Sequence, residues 1–63
     1  MNIELKKARE KVGLTQVEVA KKAKVSTLSY QRYEAGKRIP NAYIAQRIAK
    51  AVNSKVEELF KEI

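Results

Sequence analysis

The stretch from Thr15 to Gly36, TQVEVAKKAKVSTLSYQRYEAG, leaves this chain little freedom. Thr15 can accept from a backbone N–H at the head of a helix. Glu18 follows three residues later, the reciprocal arrangement of a capping box. Val17, Val19, Ala20 and Ala23 fall at helical spacings and give that helix an apolar side. Lys24 and Val25 make a tight turn. Ser26 is an N-cap for a second helix, because its hydroxyl can accept from an otherwise unpaired N–H. Tyr30 and Tyr33, three apart, face the core, and Gly36 follows as a C-cap. Ala20 sits where the two helices approach, since a larger side chain would force them apart. Val25 and Tyr30 fill the wedge between them. Thr27, Leu28, Gln31 and Arg32 lie on the opposite side of the second helix, a set with no reason to be buried together.

This is a helix-turn-helix pattern. So short a turn makes the helices cross steeply and leaves the second free to project into a DNA major groove. The flanking sequence supplies the support. Ile3 to Val12 reads as a first helix, with Leu5, Ala8 and Val12 as its apolar stripe and Gly13 as its end. Leu14 then packs inward. Arg9 lies at the edge of the stripe. Lys21, Lys22 and Lys24 close the second helix; they suit its dipole and read as helix-end charge ahead of phosphate contact. The third helix runs from about Thr27 to Ala35. The basic loop GKRIPN, residues 36–41, ends it, because Pro40 biases Ile39 away from helix. A fourth helix runs from Asn41 or Ala42 to Val52, with Ile44, Ile48, Ala51 and Val52 buried and Asn53 left-handed at its end. Ser54 with Glu57 is a second capping box, opening a short fifth helix from about Lys55 to Lys61.

Sixty-three residues make one small domain, residues 1–63, that buries only about 60% of its unfolded surface. There is no cysteine and no histidine. Disulfides, Cys/His zinc sites and the commonest catalytic bases and nucleophiles are therefore excluded, and the few carboxylates fall in caps and charge pairs. No enzyme activity, metal, cofactor or small-molecule substrate is expected. No apolar run approaches the roughly 20 residues of a membrane span, and MNIELKKARE is too charged for a secretory signal. The expectation is a cytoplasmic protein with no membrane contact. The net charge is +7 and the pI about 9.9, which favours an acidic partner, nucleic acid above all.

From about Leu5 to Phe60 the chain resembles the DNA-binding domains of the lambda repressor and Cro group, within the wider Xre family. The resemblance rests on LTQVEVAKKAKVSTLSYQRYEAGKR, with its Leu-Thr-Gln start, its buried alanine and its closing Glu-x-Gly-Lys-Arg-x-Pro string, and on the later run NAYIAQRIAKAVNSKVEELF. It implies an all-α, five-helix domain whose second and third helices form the helix-turn-helix. It also implies a role for each matching position. Gln16 would brace a DNA phosphate. Thr27 and Leu28 would read base edges, leucine by apolar contact with a thymine methyl. Arg32, one turn beyond Leu28, can pair bidentately with guanine, and Gln31 flanks it. Ser29 would touch the DNA backbone. Lys37, Arg38, Asn41 and Tyr43 would clasp phosphates. Arg9 and Glu34 would form a partly buried ion pair joining helix one to the end of helix three.

Three positions depart from the family pattern. Lys24 stands where glycine is common, so a left-handed backbone there is strained. Ala35 replaces a side chain that contacts phosphate in some phage repressors. Ile44 replaces a polar residue and reads as core. One module makes too small an interface for strong specificity, so the resemblance implies a homodimer on a two-fold symmetric site of double-stranded DNA. Pairing would fall to helix five, through Val56, Leu59, Phe60 and Ile63, some of which must also close the monomer core. The expected function is a sequence-specific transcriptional regulator, a repressor. The alternatives are a protein-interaction or antitoxin-type module on the same fold, or the DNA-binding fragment of a longer repressor.

Overall fold

Five helices form in the computed structural model, which describes residues Met1 to Lys61, and each of the first four starts on a residue that caps it. These are α1 (Ile3–Lys11), α2 (Gln16–Lys22), α3 (Thr27–Glu34), α4 (Ala42–Ala51) and α5 (Val56–Leu59). Asn2 Oδ1 accepts from Leu5 N at 3.0 Å, Ser26 Oγ from Ser29 N at 3.0 Å, and Asn41 Oδ1 from Ile44 N at 2.9 Å. Thr15 and Glu18 complete the expected box in both directions, at 3.1 and 2.9 Å. Among the described residues there is no strand.

The first four helices also end alike. Each has a left-handed residue after its C-cap: Gly13, Lys24, Gly36 and Asn53. The residue after that returns its N–H to the helix: Leu14 to Arg9 O, Val25 to Ala20 O, Lys37 to Arg32 O and Ser54 to Ala49 O, at 2.9 to 3.2 Å. This closure satisfies carbonyls that the helix leaves unpaired and reverses the chain within two residues. It is why four helices fit into so short a sequence. Lys24 is left-handed, with φ 58°, as its place in the turn suggested.

The core is Leu5 from α1, Val19 and Ala20 from α2 with Ala23 at its C-cap, Tyr30 and Tyr33 from α3, Ala45, Ile48 and Ala49 from α4 with Val52 after it, and Leu59 with Phe60. α2 packs on both α3 and α4, α1 on α3 and α5, and α4 on α5. Ala20 is buried where α2 meets its neighbours, and Val25, Leu14 and Ile44 pack half-buried against the core.

Four sequence expectations are corrected. Val17 is 58% exposed. Val19, Ala20 and Ala23 define the buried arc of α2, and Val17 lies roughly a third of a turn from its centre and outside its edge, whereas Gln16 falls within it. Val12 is also exposed, beside an open cleft bordered by Ala8, Val52 and Leu59. Ser54 does not box with Glu57: its hydroxyl donates to Glu58 Oε2 at 3.1 Å. Its backbone N–H closes α4, so α5 starts one residue late, on Lys55, which makes no side-chain cap. α5 is correspondingly short. Finally, Leu59 and Phe60 are buried in the monomer, and Val56 packs half-buried beside them. The first two therefore close the core and are not free on the surface. Ile63 lies outside the described residues.

Candidate nucleic-acid interface

α3 divides its side chains by chemistry. Tyr30, Tyr33 and Glu34 turn inward and are buried. Leu28, Gln31 and Arg32 are exposed and Thr27 is half-buried, all on the outer side. Leu28 is 57% exposed, which removes the core-packing explanation for it. Ser29 is half-buried, and its hydroxyl accepts from Ser26 Oγ at 2.9 Å, leaving its own proton to donate elsewhere.

The base of α3 is fixed by an ion pair. Arg9 donates from Nε to Glu34 Oε2 at 2.9 Å and from Nη2 to Oε1 at 3.0 Å, a parallel fork. Its Nη1 donates to Leu14 O at 2.9 Å, so one arginine ties α1, the loop after it and the end of α3. Burial raises the Glu34 carboxyl, but the hydrogen bonds and the charge of Arg9 outweigh burial and hold it below the usual glutamate value. The bond to Glu34 raises Arg9 in turn. The Tyr30 hydroxyl is buried next to this pair with no hydrogen-bond partner. Burial pushes it well above the ordinary tyrosine value, and the Glu34 charge adds to the effect. Gln16 is half-buried at the head of α2.

Lys37, Arg38, Asn41 and Tyr43 are all exposed in the loop after α3 and the first turn of α4. Asn41 uses its carbonyl oxygen as the α4 cap, and its amide N–H groups remain as donors. Ala35 is exposed and has no polar group to offer. Two contacts were not read from the sequence. Asn2 joins three helices: besides capping α1, its backbone N–H donates to Glu34 O and its side-chain amide to Leu59 O, both at 2.8 Å. An asparagine just ahead of a helix is a capping signal, but its distant partners leave no local trace. Arg47 donates from Nε to Ala23 O at 2.8 Å, bridging α4 to the end of α2, and no sequence pattern points to it.

An α2–turn–α3 unit with a polar outer face matches what the family comparison finds, for residues 5–59 fit the helix-turn-helix family model. The chain belongs to the helix-turn-helix family. Two relatives are from Archaeoglobus fulgidus, and each is described as an uncharacterized HTH-type transcriptional regulator. One is 37% identical over 60 residues, covering 95% of this chain and 86% of the relative. The other is 35% identical, covering 95% and 84%. No solved structure gives a significant match. Within this helix-turn-helix domain the described residues contain no cluster of acidic side chains able to hold a metal, and no helix long and apolar enough to cross a membrane.

Proposed function

We propose that the chain is a sequence-specific regulator of transcription that binds double-stranded DNA through the major groove, a repressor that acts as a dimer on a two-fold symmetric operator in the cytoplasm. The observation that carries this reading is the division of α3. Its inner face is locked to the core by two tyrosines and the Arg9–Glu34 fork, and its outer face carries half-buried Thr27 with exposed Leu28, Gln31 and Arg32. A helix held so firmly presents its outer groups in a fixed geometry, which base readout requires.

The roles follow from side-chain chemistry. Arg32 reads guanine O6 and N7, Leu28 touches a thymine methyl, and Thr27 and Gln31 contribute hydrogen bonds at the flanks. Gln16, Ser29, Lys37, Arg38, Asn41 and Tyr43 contact phosphates and set the register. Pairing of two copies falls to helix five and its surroundings: half-buried Val56, and a groove bordered by exposed Met1, Ile3 and Ile39 with Leu59 and Phe60.

Selection from randomised duplex DNA at two salt concentrations tests the proposal. A two-fold symmetric motif whose enrichment weakens at higher salt is the expected result. A motif without symmetry removes the dimer. No motif at either concentration overturns sequence-specific binding and favours a protein-interaction module.

A further inference from the structure

α3 and the head of α4 carry different parts of the DNA contact proposed above, yet these two helices do not pack closely against each other. Each packs on α2. The loop that joins them is a loose link. Among the described residues Arg38, Ile39 and Pro40 make no backbone hydrogen bond, and Lys37, Arg38 and Ile39 are exposed. The angle between the outer face of α3 and the first turn of α4 is therefore set where α4 meets α2.

The buried side chains at that meeting are short. α2 brings Val19 and Ala20, with Ala23 at its C-cap, and α4 brings Ala45, Ile48 and Ala49. Alanines let two helices approach, but they raise low ridges, so packing fixes the spacing of the pair more firmly than its rotation.

A directional bond supplies what the packing lacks. Arg47 Nε donates to Ala23 O at 2.8 Å, and among the described residues this is the only side-chain hydrogen bond between α4 and the helix-turn-helix. The Ala23 carbonyl is one that α2 leaves unpaired at its end, and it stands at the start of the turn that leads to Thr27. Arg47 is exposed, so burial does not hold it there. It lies one helical turn beyond Tyr43, and side chains at that spacing share a face of the helix with Cβ atoms about 5–6 Å apart. The anchor of α4 thus sits directly behind one of its phosphate-contacting residues.

We propose that Arg47 is a positioning residue, which fixes the rotation of α4 against the helix-turn-helix and so the register between Asn41 and Tyr43 on the phosphates and Thr27, Leu28, Gln31 and Arg32 on the bases. This rests on the DNA-binding reading above. Arg47 itself touches no DNA. Without its bond, phosphate and base contacts can no longer both be met at full quality on the preferred sequence. A random duplex offers no base contacts to align, so binding to it is indifferent to that register.

Two variants separate the bond from the charge. Arg47→Met removes both. Arg47→Gln removes the charge but keeps an N–H donor, Nε2, the same number of bonds from the backbone as the arginine Nε. Affinity is measured for each on the selected duplex and on a random one, from about 50 to about 200 mM salt, with a melting curve for each protein. Expected for Arg47→Met is a fall of about tenfold in preference for the selected duplex, the size of one weakened base contact, with binding to the random duplex and the salt slope both kept. Arg47→Gln is expected to retain most of the preference. Arg47→Lys, which keeps the charge but carries its donor one bond further out, replaces Arg47→Met if that variant does not fold, and the same fall in preference is expected of it. Equal weakening of Arg47→Met and Arg47→Gln on both duplexes, with a shallower salt slope, overturns the proposal and makes Arg47 a phosphate contact. A lower melting temperature with preference unchanged also overturns it, because the bond is then merely structural. If the unaltered chain binds neither duplex, the DNA-binding reading falls and this proposal falls with it.

Discussion

Arg9 and Glu34 sit 25 positions apart in the chain and meet through two parallel hydrogen bonds of 2.9 and 3.0 Å, with the glutamate almost wholly buried. Arginine in that fork neutralises the carboxylate and orients the last turn of α3. Removing one partner leaves the other charge uncompensated in the core. Arg9→Met and Glu34→Gln are each expected to lower unfolding free energy by about 3–5 kcal/mol, read from urea denaturation. The double change Arg9→Met with Glu34→Gln is expected to cost clearly less than the sum of the two single changes. Additive losses would show that the two residues act independently.

The same carboxylate sets an acid limit on stability. Glu34 is lowered in the folded state, so below neutrality the unfolded chain takes up its proton first. Its contribution is complete above the ordinary glutamate value, about 4.3, and is lost as pH falls through the lowered folded value. Tyr30 acts at the other end. Its value is raised by burial, so its contribution is complete below about pH 10 and is lost as pH rises above that, where the unfolded chain can ionise. Urea midpoints measured from about pH 2 to about pH 11 should form a plateau bounded on both sides. Tyr30→Phe should extend the alkaline edge. An alkaline edge unmoved by that change would place the loss on another group.

The helices were legible in the sequence because their signals are local. Thr15, Ser26 and Asn41 announce starts, Gly13 and Gly36 announce ends, and the apolar spacing of α4 identifies its buried side. The fork between Arg9 and Glu34 was legible only through family resemblance, since nothing near either residue names the other. Val17 misleads because apolar character does not fix position: its neighbours set the buried arc, and it lies outside. Leu59 and Phe60 could not be divided between core and surface from pattern alone, because a four-residue helix has too few turns to define a face. Arg47 and the distant partners of Asn2 depend on how helices are set against one another, which no local pattern encodes.

Two helices close on left-handed residues that are not glycine, and they should respond differently to glycine. Lys24 and Asn53 have φ values of 58° and 54°. Asparagine tolerates this region far better than lysine, whose Cβ strain there is of order 1–2 kcal/mol. The added freedom of an unfolded glycine returns about 0.4–1 kcal/mol of that. Lys24→Gly is therefore expected to stabilise the domain by about 0.5 kcal/mol, and Asn53→Gly to be close to neutral. A larger gain at Asn53 than at Lys24 in matched thermal melts would contradict the strain argument.

The two glycines separate strain from space. Gly13 and Gly36 share nearly the same backbone, φ 73° and 75°, but a Cβ at Gly13 meets nothing within 4 Å while one at Gly36 would lie 3.0 Å from Met1 N and 3.3 Å from its Cα. Alanine at Gly13 costs only the left-handed conformation, about 1 kcal/mol. Alanine at Gly36 must also displace the backbone of Met1, whose neighbour Asn2 is tied to Glu34 and Leu59. Its cost should exceed that of Gly13→Ala by about 1 kcal/mol or more. Equal costs in denaturant titration would mean that the Met1 contact yields freely.

Arg32 and Leu28 are both exposed on the outer face of α3, and the chemistry of each dictates a different loss. A guanidinium pairing with guanine O6 and N7 discriminates against other bases by about 1–3 kcal/mol. Arg32→Ala should therefore flatten preference at one guanine in each half-site, leaving the rest of the motif intact. Leucine offers no hydrogen bond, so Leu28→Ala should weaken binding at a thymine and leave the guanine untouched. The thymine effect should shrink when uracil, which lacks the methyl group, replaces that thymine in the DNA. Repeating the randomised selection with each variant, followed by affinity measurements on thymine and uracil duplexes, reads both effects. If Arg32→Ala instead lowers affinity equally on every sequence, the arginine contacts phosphate and base reading passes to Thr27 and Gln31.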